Sequence, residues 1–158
     1  TDDVTYMAWF NLNEPIAGTR RMMSKNDSIF FLFDFGDPNS IDFLVKPNND
    51  FVESTTIDWE IGEWYHVAGT YDGDTLRIYI NGTLENETGG VPSIATSDLD
   101  LWIGADDHNL PTTSFPGILD EVRIYSEALS AAQISEAMSG PAAVNPQDKL
   151  SVTWGMIK

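Results

Sequence analysis

Strand signals dominate the chain: apolar runs bounded by turn residues, several of them alternating apolar and polar positions with the period of two of a strand that buries one face. Val4 to Asn11 (VTYMAWFN) is rich in aromatic and β-branched residues. Ser28 to Phe35 (SIFFLFDF) is a second apolar run, bounded by Asn26-Asp27 and by Gly36-Asp37-Pro38. Ile41 to Lys46 follows, then the turn-forming Pro47-Asn48-Asn49-Asp50. Glu63 to Tyr71 (EWYHVAGTY) reads as a strand, and Asp72-Gly73-Asp74 as a turn. Thr75 to Ile80 puts Leu76, Ile78 and Ile80 on one face. Asn81-Gly82 then predicts a tight hairpin, because both residues tolerate positive φ. The returning strand, Thr83 to Thr88, is polar on one side, which predicts an edge or rim. Asp98 to Ala105 aligns Leu99, Leu101 and Ile103, and Ile118 to Tyr125 is a further strand.

The period changes only near the end. Ser130-Ala131-Ala132-Gln133 is a capping box, in which hydroxyl and amide satisfy each other's backbone donors. The helix is expected to run to about Met138 and to stop at Gly140-Pro141. Residues 141–147 read as a linker after a domain of residues 1–140. Residues 148–158 (DKLSVTWGMIK) alternate again, with Leu150, Val152, Trp154 and Met156 on one face, and read as a terminal strand packing on the same domain. Many short strands and one short helix predict an all-β fold, an antiparallel two-sheet jelly-roll sandwich with a helix near 130–138.

Composition narrows the partners. The 158 residues carry 25 acidic and 8 basic side chains, a net charge of −17. That balance repels nucleic acid and anionic membrane surfaces. It suits a neutral glycan, a divalent cation, or simple solubility. With no cysteine, disulfides and thiolate metal sites are excluded. No apolar run is long enough to span a bilayer, so membrane insertion is not expected.

The strings EWYHVAGTYDG, LRIYINGTL, LWIGA and FPGILDEVRIYSEALS, in that order, resemble the laminin-G-like, concanavalin A-like lectin/glucanase jelly-roll family. VTYMAWF is similar to that family's early strand, so the resemblance covers most of residues 4–138. It implies a non-catalytic binding module of a larger extracellular or cell-surface protein. The implied ligand is a carbohydrate; the alternative is protein–protein adhesion or a structural spacer. The family's usual opening segment, with Phe-Asp-Gly and a Tyr-Val strand, has no match here. A sheet lacking a strand bares a hydrogen-bonding edge. The terminal strand is expected to cover that edge in its own molecule or, by strand exchange or dimerisation, in a neighbour.

The resemblance also implies that Asp120 contributes to a structural Ca2+ site. Calcium takes six to eight oxygens, so one carboxylate is not enough. Glu121 should face the other side of the strand. Asp106, Asp107, His108 and Asn109 form a polar loop whose oxygens could hold calcium or grip sugar hydroxyls, or be merely solvated. Glycan binding needs a flat aromatic beside polar groups. Trp9, Trp64 and Trp102 lie in strands and are expected to be buried. Trp59, between Asp58 and Glu60 and outside any strand pattern, is the candidate for an exposed stacking residue. Related glucanases carry Glu-x-Asp-x-x-Glu on one strand. Asp58-Trp59-Glu60-Ile61-Gly62-Glu63 lacks the first Glu and has the wrong spacing, so no catalysis is expected.

Overall fold

A computed structural model describes residues 3–26, 28–33, 39–105 and 113–139. The elements are β1 (Asp3–Leu12), β2 (Arg20–Lys25), β3 (Ile29–Phe33), β4 (Ile41–Val45), β5 (Asp50–Glu53), β6 (Trp64–Asp72), β7 (Leu76–Ile80), β8 (Thr83–Thr88), β9 (Leu101–Ile103), β10 (Gly117–Tyr125) and α1 (Ala131–Met138). Two antiparallel five-stranded sheets form, ordered β10-β1-β6-β7-β8 and β5-β4-β3-β2-β9. This is the expected sandwich with one short helix. The expected linker 141–147 and terminal strand 148–158 lie outside the described residues.

Alternation explains how the sheets close on each other. Tyr6, Ala8, Phe10 and Leu12 of β1 face inward with Val67 and Tyr71 of β6 and Leu76, Ile78 and Ile80 of β7. Phe31 and Phe33 of β3 meet them from the other sheet, together with Ile41, Phe43 and Val45 of β4. The sheets approach so closely at Gly69 that a Cβ there would lie 2.5 Å from Phe43 Cγ. The opposite parity of the first sheet, Met7, Ala68 and Tyr79, packs outward against Leu129 and Ile134. The helix therefore lies on that outer face. Its capping box is formed as expected, with Ser130 accepting from the Gln133 N–H.

β8 is an edge strand and mostly exposed, as its polarity requires. It is stitched to the other sheet's neighbouring edge. The Glu85 carboxylate accepts from the backbone N–H and hydroxyl of both Thr55 and Thr56, and Asn86 Nδ2 donates to the Glu53 carbonyl at 3.2 Å.

Candidate functional site

The loop from Ser54 to Glu63 crosses one end of the sandwich and is laced to β1. Gly62 N–H donates to the Leu12 carbonyl at 2.9 Å, and Asn11 Nδ2 donates to the Gly62 carbonyl at 2.6 Å. Gly62 has φ +87°, which suits a residue with no side chain. The lacing fixes Trp59. Its indole N–H donates to the Asn39 carbonyl at 2.8 Å, and its ring stands edge-on to Phe10 at 5.3 Å and Tyr65 at 5.1 Å.

Trp59 thus lies outside any strand, as expected, but it is half-buried rather than a free platform. Its open part walls a shallow pocket of about 170 Å³. Leu12, Pro15, Ile16 and Ile57 supply apolar lining, and Asp58 and Asn39 supply polar lining. The expectation for the other tryptophans is corrected. Trp64 is 44% exposed, and Trp9 and Trp102 are half-buried. Strand parity is the reason: Phe10 and Tyr65 take the positions beneath the loop, so Trp9 and Trp64 face outward.

Asp120 is exposed on the outer face of β10, opposite Trp9, which in turn pairs with His66. The β1–β10 register slips between Met7 and Trp9, and Glu121 adopts φ +49° at the resulting bulge. Asp120 Oδ1 accepts the Glu121 N–H at 2.8 Å, so its carboxylate supports the bulge. The Glu121 carboxylate is engaged by Arg123, whose guanidinium also donates to the Ala137 carbonyl. Among the described residues no three His, Asp or Glu converge on a cation position. Asp106, Asp107, His108 and Asn109 lie outside the described residues.

His66 is buried edge-on to Trp9 at 5.3 Å, and its Nδ1 has no hydrogen-bond partner. Burial, aided by the positive charge of Arg123, lowers its pKa to about 4. It is a neutral framework residue at neutral pH. A second small pocket, about 80 Å³, went unread in the sequence. There Arg21 and Lys46 approach the Phe30 ring, at 4.6 and 5.7 Å from its centroid. Nothing between Asn11 and Asn26 had signalled the strand that carries Arg21.

Comparison with known proteins supplies the family. The Laminin_G_3 model, described as the concanavalin A-like lectin/glucanases superfamily, matches residues 1–135. No curated protein sequence matches the chain. Among solved structures, a candidate carbohydrate binding protein from Bacteroides ovatus superposes with a TM-score of 0.73 at 21% identity, covering 85% of this chain and 40% of that one. Domain 4 of AbnA, an extracellular arabinanase of Geobacillus stearothermophilus, in complex with arabinotriose, gives 0.65 at 18% identity, covering 85% and 66%. The receptor binding domain of botulinum neurotoxin type G gives 0.61 at 20% identity, covering 87% and 38%. At these identities the likeness is one of fold. No helix among the described residues is long and apolar enough to cross a membrane.

Proposed function

The chain belongs to the concanavalin A-like lectin/glucanase superfamily, and on that premise we propose that it is a non-catalytic binding module of a larger extracellular protein, with a neutral glycan as ligand. The observation that carries this reading is the Trp59 pocket. An indole held by its own N–H and by three aromatic neighbours is rigid before any ligand arrives, so little freedom is lost on binding. A sugar ring offers an apolar face to such a wall and hydroxyls to a rim like that of Asp58 and Asn39. The net charge of −17 disfavours anionic ligands. A fold shared with an arabinanase domain bound to arabinotriose supports the ligand class. Asp58, Glu60 and Glu63 are exposed on the loop and not aligned on one strand, which supports a module without glycosidase chemistry.

The test is a calorimetric titration against neutral arabino-, xylo- and gluco-oligosaccharides. Trp59→Phe preserves the inner packing but shortens the exposed wall, and Asp58→Ala removes a rim acceptor. Each should weaken binding roughly tenfold, about 1.4 kcal/mol. Binding that both variants leave unchanged, or no binding to any neutral glycan, refutes the reading. The second reading, protein–protein adhesion or a spacer, is favoured by Trp64 and Ile118. They flank Asn11 on the outer face of the first sheet, and both are exposed. Calcium belongs to the proposal only as a structural ion, with Asp120 as one ligand.

A further inference from the structure

The two sides of the sandwich differ. Between β5 and β8 it is closed by the hydrogen bonds of Glu85 and Asn86. On the other side, β9 and β10 end their sheets, and the described residues pair each with one neighbour, β2 and β1 respectively. The register shows where their side chains point. Ile124 lies opposite Tyr6, while Ile103 lies beside Met23 and Leu101 beside Lys25, which in turn pair with Phe31 and Ile29. Tyr6, Met23, Phe31 and Ile29 all belong to the core. Ile124, Ile103 and Leu101 are therefore core-facing positions, yet they are 44%, 53% and 36% exposed. Ile124 lines a cleft of about 520 Å³ that reaches Val4, Tyr6 and Ile29. Inward-facing apolar side chains left in water on two adjacent edges are the mark of a sandwich short of a strand.

We propose that residues 148–158 of the same chain fill this place, adding a strand to the free edge of β10 and laying Leu150, Val152, Trp154 and Met156 over the cleft. Two observations select this occupant. First, the segment alternates with period two, the pattern a strand with one buried face requires. Second, the chain leaves α1 at the right place. The Met138 carbonyl accepts from Trp9 Nε1 at 3.3 Å, and the Ala137 carbonyl accepts from Arg123 of β10. Residues 140–147 can span roughly 25 Å when extended, enough to reach any point on that edge.

The parity of the segment makes the test sharp. In the full chain, Val152→Asp would place a carboxylate in the cleft, and the melting temperature should fall by roughly 5 °C or more. Thr153→Asp, on the opposite face, should leave it nearly unchanged. Hydrogen exchange of the peptide spanning residues 117–125 should be at least about tenfold faster in Val152→Asp than in the parent. A chain truncated after Ser139 should show the same loss of protection if it folds. Equal melts and equal exchange for the two point variants overturn the proposal. So does protection of β10 that appears only at concentrations where light scattering shows dimers, since the strand would then come from a second copy.

Discussion

His66 gives a prediction whose size follows from its surroundings. It is buried against Trp9, its Nδ1 has no partner, and its pKa is lowered to about 4 by burial first and by Arg123 second. The unfolded chain holds the ordinary value of about 6.5. Above that value both states carry a neutral ring and His66 is silent. As pH falls below it, the unfolded chain takes up a proton that the native state refuses, so stability is lost until pH reaches the folded value and the loss levels off. The slope follows from the difference in bound protons. Between pH 7 and pH 5 the loss comes to roughly 2 kcal/mol, and over the whole window to roughly 3 kcal/mol. The same acidification relieves the repulsion of a chain with net charge −17, which acts the other way. The experiment is therefore a comparison: urea unfolding of the parent and of His66→Phe at several pH values from 7 to 4.5. The variant shares every carboxylate, so the difference between the two curves isolates the histidine. That difference should change by about 2 kcal/mol in the variant's favour on going from pH 7 to pH 5. Parallel curves would refute the reasoning and mean that the ring accepts a proton in place.

Two further outcomes are expected. Gly69→Ala puts a methyl 2.5 Å from Phe43 Cγ, where the two sheets meet, and should cost about 1–3 kcal/mol in a denaturant titration; an unchanged midpoint would show that the ring moves aside freely. Millimolar calcium added after chelation should raise the melt of the parent by several degrees and that of Asp120→Ala by less, because an ion that binds only the native state stabilises it by mass action; a parent melt indifferent to calcium removes the ion from the proposal.

Most strands were legible because each buries one face. Val4 to Asn11 and Thr75 to Ile80 alternate, and Ile118 to Tyr125 is rich in β-branched and apolar residues although a bulge breaks its parity; they form β1, β7 and β10 with ends within two residues. The capping box at Ser130 likewise needs only local chemistry. β2 and β5 were not legible. Arg20 to Lys25 (RRMMSK) has no alternation, because the register slips between Arg21 and Met23 and both Met22 and Met23 enter the core. Asp50 to Glu53 is too short to show a period. At the site, the position of Trp59 outside the strands was readable. Its contact with Phe10 was not, because that contact joins parts of the chain far apart in sequence and only the folded loop creates it. The exposure of Trp64 turned on parity: Tyr65, one residue on, stacks on Phe10, which leaves Trp64 facing water.

The place of β1 has a consequence for how the polypeptide reaches its working state. β1 is the first strand described, yet it sits inside its sheet, with Trp9 between His66 on one flank and Asp120 on the other. A ribosome or an export pore that releases the chain from its beginning delivers β1 long before either flank. Until the stretch that ends at Tyr125 emerges, the sheet can gather β6, β7 and β8 as a local meander but cannot enclose its own first strand. The first sheet therefore closes around β1 only after its last strand, β10, has been made, whatever else the polypeptide carries.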